Sequence, residues 1–163
     1  MRSECVTPQT PVGHYEAADL LDHTQATRRY AARDPRTGED LVLYEVDLTQ
    51  LGGAPPSLLE ADLAELTALE HPGLEVYHAA ATQDEGVFCY TAEPSPGPDF
   101  RAATAACRSD DAARRAAGFL ELLHIAEGVA AALAHLHGHG IVHLDIRPET
   151  IRVPSGAAPR LSG

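Results

Sequence analysis

Hydrophobic and polar positions first group into two strand-like runs, Thr27 to Arg33 and Leu41 to Leu48, separated by Asp34-Pro35-Arg36-Thr37-Gly38. An Asp-Pro step followed by a glycine is turn chemistry, so the pair predicts an antiparallel hairpin. Pro55-Pro56-Ser57-Leu58-Leu59-Glu60 then predicts a helix start, because Ser57 and Glu60 have capping-box spacing. Leu59, Leu63 and Leu66, flanked by Leu58 and Leu69, give that helix one apolar stripe, and His71-Pro72-Gly73 ends it. Two more strand runs follow, Leu74 to Ala80 and Gly86 to Ala92, around a turn at Asp84-Glu85-Gly86. Pro94-Ser95-Pro96-Gly97-Pro98 continues neither strand nor helix and reads as a connector.

The longest helix is predicted from Ser109-Asp110-Asp111, a capping residue with acids where the helix dipole favours them. Phe119, Leu122, Leu123, Ala126, Ala130, Leu133 and His137 follow the i, i+3, i+4 pattern of a core-facing stripe, and Gly138 and Gly140 terminate it. Residues 1–14 carry Pro8, Pro11 and Gly13 with little periodicity and read as a mobile leader. No internal repeat is visible.

Composition narrows the function classes. A chain of 163 residues can bury about two-thirds of its unfolded surface, enough for a real core. A net charge of −12 with scattered arginines excludes a phosphate-backbone partner, so no nucleic acid is expected. All 12 basic residues are arginine, so no side chain can serve as a catalytic or phosphate-pairing lysine. Cys5, Cys89 and Cys107, odd in number and widely spaced, fit reduced thiols, with Cys89 in an apolar core run. The N-terminus lacks a signal-peptide core and no window holds the roughly 18 consecutive apolar residues of a membrane span. A cytoplasmic location without a membrane span is the expectation.

The stretch Leu136-His137-Gly138-His139-Gly140-Ile141-Val142-His143-Leu144-Asp145-Ile146-Arg147-Pro148-Glu149-Thr150-Ile151 carries the strongest motif. Physically, a carboxylate just past an apolar Ile141-Val142 pair sits at the mouth of a core element, where a substrate can reach it. The stretch resembles the catalytic loop of eukaryotic-like serine/threonine protein kinases, H-R-D-L-x-x-x-N, in the spacing and type of Ile141, Val142, His143, Asp145, Pro148 and Ile151. Thr37-Gly38, His71-Pro72 and Glu93 fall where that family has its turn before the lysine strand, its His-Pro after helix αC and its hinge acid. The resemblance covers Tyr15 to Gly163. It implies an α+β, protein-kinase-like fold: an antiparallel small-lobe sheet with one helix, followed by the first helices and catalytic loop of an incomplete helical large lobe. The implied division is a leader at 1–14, a small lobe at 15–93, a hinge at 94–100 and a partial large lobe at 101–163.

The resemblance assigns Asp145 as the catalytic base, Arg147 to the transferred phosphate and His143 to a structural role. It places Val42, Tyr44, Asp62 and Glu93 around a degenerate nucleotide cleft, and Thr150 at a magnesium-ligand position. Departures are as informative as matches. Tyr44 stands where the family has its phosphate-pairing lysine, so the αC acid at Asp62, with Glu60 nearby, has no lysine partner. No glycine lies between Tyr15 and Arg36, and Leu20 to Thr27, the counterpart of the glycine-rich loop, places Asp22 near the phosphates. Thr150 replaces the loop asparagine and would bind magnesium weakly. Gly163 aligns with the aspartate of D-F-G.

The resemblance thus implies a catalytically impaired pseudokinase with a regulatory or scaffolding role, a protein partner or self-association, and no cofactor. Its alternative is a divergent serine/threonine kinase using ATP and magnesium with Asp145 as base. A truncated, non-functional remnant is the third possibility. His135, His137 and His139, with His143 and Asp145, also suggest zinc, but His135 and His137 lie about 200° apart on a helix and cannot share a metal unless it unwinds. No G-x-S-x-G elbow supports a hydrolase.

Overall fold

A computed structural model describes residues 15–53, 55–83 and 86–162, with the side chains of residues 79–83 excepted. The expected leader at 1–14, Cys5, the turn residues Asp84-Glu85 and Gly163 lie outside the described residues. The elements in order are β1 (Glu16–His23), β2 (Thr27–Arg33), β3 (Asp40–Asp47), α1 (Pro56–Thr67), β4 (Tyr77–Gln83), β5 (Val87–Ala92), α2 (Phe100–Ala103), α3 (Ala112–Gly138), β6 (Ile151–Arg152) and β7 (Arg160–Leu161). The chain is α+β and divides into two units, Met1–Leu69 with Val76–Pro94, and Glu70–Glu75 with Ser95–Gly163.

The first unit is an antiparallel sheet in the order β1-β2-β3-β5-β4. Its β2–β3 hairpin turns where the sequence predicts. The Asp34 carboxylate accepts from Arg36 N at 2.8 Å, Gly38 N donates to Asp34 O at 2.7 Å, and Gly38 takes φ +77°, a conformation open to glycine. The central strand β3 is buried on both faces. Leu43 joins Ala32 and Cys89, whereas Val46 joins Leu48, Phe88 and Leu63 of α1. Burial and the Glu45 carboxylate push the Cys89 thiol up to about 12, so it behaves as an inert apolar side chain.

Two expectations in this unit need correction. Helix α1 begins at Pro56 with Pro55 as N-cap and no side-chain cap, so Ser57 sits inside the first turn rather than capping it. Proline's fixed φ suits the first helical position, and its missing N–H leaves one fewer donor to satisfy. The strand predicted from Leu74 instead begins at Tyr77. The Pro72-Gly73 turn diverts Leu74 and Glu75 into the second unit, where Leu74 bridges Leu161 and Glu75 N donates to Leu161 O at 2.9 Å.

The second unit is organised on α3. The helix starts later than the sequence suggests: Asp111, expected as a first-turn acid behind Ser109, is itself the cap, accepting from Arg114 N at 2.7 Å, and the first turn holds no acid. The buried face, however, is Gly118, Ile125, Ala132 and Leu136, while Phe119, Leu123, Ala126, Ala130 and His137 of the predicted core stripe are exposed. Close approach decides the face. A Cβ on Gly118 would come within 2.5 Å of the Cys107 backbone nitrogen, and one on Gly128 within 2.4 Å of the Pro159 ring. Only glycine fits at these two positions, so the side of the helix that carries them is the one that can pack inward. By length and composition alone α3 could also cross a membrane. Downstream, a 3₁₀ turn at Pro148–Thr150 leads into the two-stranded ribbon β6–β7.

Candidate functional site

Residues 143–150 form a loop closed from within. The Thr150 side chain, buried to 1% exposure, accepts from Arg147 N at 3.0 Å, and its hydroxyl lies 3.0 Å from both Asp145 O and Arg147 O. One hydroxyl proton serves one of those carbonyls at a time. From the other side, Ser162 N donates to Thr150 O at 2.8 Å, which anchors the loop to the end of β7.

Around this knot the loop presents Asp145. Its carboxylate is exposed, and Arg147 Nε lies 2.7 Å from Oδ1. The Nε proton points off that line, so the pair is a Coulombic contact rather than a hydrogen bond. Between His143 and Asp145, Leu144 holds φ +61° with its side chain 89% exposed. Among the described residues it is the one non-glycine residue with positive φ. Strained backbone of this kind, on the order of 1 kcal/mol or more, persists where neighbouring bonds over-determine it. Asp145 N, 3.4 Å from His143 Nδ1, and the Thr150 knot supply those bonds here.

His143 is half-buried, and its pKa is lowered by burial against the opposing pull of Asp145. His71 in the same unit is likewise lowered, by burial and then by the neighbouring His135, whose ring stacks on it at 5.0 Å. Each imidazole is harder to protonate folded than unfolded. The unfolded chain therefore takes up more protons as pH falls below about 6.5, and stability drops until the lowered folded values are passed. Urea midpoints at pH 7.5 and 5.5 are expected to show this loss. Asn at either position can still accept a backbone N–H and does not titrate, so His71→Asn combined with His143→Asn is expected to flatten the profile. A double variant with the wild-type slope would assign the loss elsewhere.

His135 also packs against His139, with centroids 4.7 Å apart, while His139 Nδ1 lies 2.9 Å from His135 O. His137 is exposed elsewhere on the helix. Among the described residues no group of three or more His, Cys, Asp or Glu side chains is placed to hold a metal.

The remaining candidate residues belong to the first unit. Val42 and Tyr44 lie on one face of β3 with Ala92, at 5%, 0% and 0% exposure. The Tyr44 ring stacks on Tyr90 at 4.5 Å with 9° between planes, and the Arg29 guanidinium lies over it at 5.1 Å. Arg29 in turn pairs with Asp22 at 2.9 Å. Beside this cluster an open, mainly apolar cavity of about 620 Å³ is lined by Ala17, Leu21, Ala31, Val42 and Pro94 among others, without Tyr44. Asp62 is exposed on α1. Glu93 is half-buried, and its backbone N–H donates to Val76 O at 2.9 Å.

His143, Asp145, Arg147 and Thr150 are thus brought together, as are Val42 and Tyr44, while Asp62 stands apart on the helix. Sequence reasoning missed Arg29, the one buried arginine of this face. It pairs directly with Tyr44 across the β2–β3 register, which can be counted back from the hairpin turn. No protein-family model matches the chain, and no curated protein matches it.

Proposed function

We propose that the chain is a catalytically impaired protein-kinase-like domain that works by binding protein, in regulation or scaffolding. The reading rests on the motif of the 143–151 loop and on the α+β order of the elements. The observation that carries the impairment is Thr150: at the position where the kinase pattern sets a magnesium ligand, the hydroxyl is turned inward and engaged with three backbone groups of its own loop. The first unit supports the same conclusion. At the lysine position Tyr44 is stacked and covered, and the cation beside it, Arg29, is engaged by Asp22. These residues do not suit a magnesium-nucleotide, and no phosphoryl-transfer step is assigned to them.

The chain is expected to show no metal-dependent melting shift with millimolar ATP and magnesium. One site filled at a hundred times its dissociation constant would stabilise by about 2.7 kcal/mol, which a thermal scan resolves. A clear shift would overturn the impaired reading. It would favour a divergent serine/threonine kinase instead, a possibility supported by the exposed Asp145 carboxylate. Loss of labelled-phosphate transfer in Asp145→Asn would then identify the base.

A further inference from the structure

The outward face of α3 is apolar. Phe119, Leu120 and Leu123 are 56%, 68% and 52% exposed, Ala116 precedes them on the same face, and Ala126, Ala130, Ala131 and Ala134 continue it toward the C-terminus. At about 100° per residue all eight fall in the half of the helix opposite Ile125 and Leu136. The face is also divided by size: its large apolar side chains all precede residue 125, and its apolar positions after that residue are all alanine.

We propose that this face pairs with the same face of a second copy, antiparallel, about a two-fold axis passing near residue 125. Two-fold pairing makes a surface meet itself, so the large half of one copy lies over the small half of the other. Residues whose numbers sum to about 250 come opposite each other. Phe119 then meets Ala130 of the second copy, Leu120 meets Ala131, Leu123 meets Ala126 and Ala116 meets Ala134. The one acid inside the face, Glu127, comes beside His124 of the second copy on the same flank, and symmetry repeats the pair. A parallel arrangement would set Phe119 and Leu120 against themselves and leave the alanine half loosely packed. Lipid offers no such size complementarity, and the net charge of −12 repels an anionic bilayer.

The strip from Ala116 to Ala134 is about 27 Å long, which is short for a stable interface. The dimer is therefore expected to dissociate in the micromolar range. The pairing is independent of nucleotide binding, so neither test prejudges the other.

Sedimentation equilibrium of the 163-residue chain is expected to give a reversible monomer–dimer system with a 17.3 kDa protomer. Leu123→Glu, at an exposed position, is expected to weaken association at least ~10-fold while the melting curve keeps its shape. The register is tested by cysteines at the paired small positions. The double variant Ala116→Cys with Ala134→Cys is expected to crosslink into dimers under mild oxidation, whereas Ala116→Cys alone, about 27 Å from its own symmetry mate, is expected not to. A monomer throughout the micromolar range would overturn the proposal, as would open-ended oligomers or crosslinking through Ala116→Cys alone. Monomers that bind neutral phosphatidylcholine vesicles, and lose that binding on Leu123→Glu, would instead assign the face to a membrane.

Discussion

Tyr44→Lys is expected to destabilise the first unit by about 3 to 5 kcal/mol and to restore no phosphoryl transfer. The ring it removes has no exposed surface and is stacked on Tyr90. An ammonium in its place would lie beside the Arg29 guanidinium, which now rests on the aromatic face, so attraction would become repulsion between buried like charges. Tyr44→Phe keeps the ring and is expected to lose no more than about 1.5 kcal/mol. Urea denaturation monitored by near-ultraviolet circular dichroism separates the two. A lysine variant within about 1 kcal/mol of wild type would show that this face tolerates a cation. Labelled phosphate transferred by that variant would mean that the rest of a nucleotide site is intact.

The second large effect is expected at Thr150→Val, at about 2 to 3 kcal/mol. The substitution nearly preserves shape but deletes the hydroxyl that serves Arg147 N, Asp145 O and Arg147 O. At 1% exposure water cannot easily replace it. Thr150→Ser retains the hydroxyl and is expected to cost under about 1 kcal/mol. Amide hydrogen exchange at Arg147 gives the local readout, faster in the valine variant and near wild type in the serine one. Equal exchange in both would show that the hydroxyl does not close the loop.

Where local chemistry specifies geometry, the fold is legible in the sequence. The β2–β3 hairpin follows from Asp34 to Gly38, because a turn is set by a few adjacent residues, whereas the start of α3 is legible only to within two residues, since Ser109 and Asp111 can both cap and Asp111 does. Strand β1 has no such signature, since Glu16, Asp19 and Asp22 interrupt its apolar run and its pairing slips twice. The buried face of α3 is misread for a different reason. Leucine and alanine surround the helix, so periodicity selects no unique face, and the choice falls to backbone proximity at Gly118 and Gly128. The candidate loop is contiguous, so its residues come together by necessity. The link from Asp22 through Arg29 to Tyr44 spans three strands and emerges only once register is known.

The two outer strands of the sheet share one property. Pairing of β1 to β2 shifts between Ala17 and Leu20 and again between Leu20 and Asp22, and pairing of β4 to β5 shifts between Tyr77 and Ala80. Each irregularity twists an edge and breaks its row of free donors and acceptors, so an incoming extended segment finds no long, even template. The consequence concerns solubility: with no even template at either edge, the sheet resists growth into fibrils from either side.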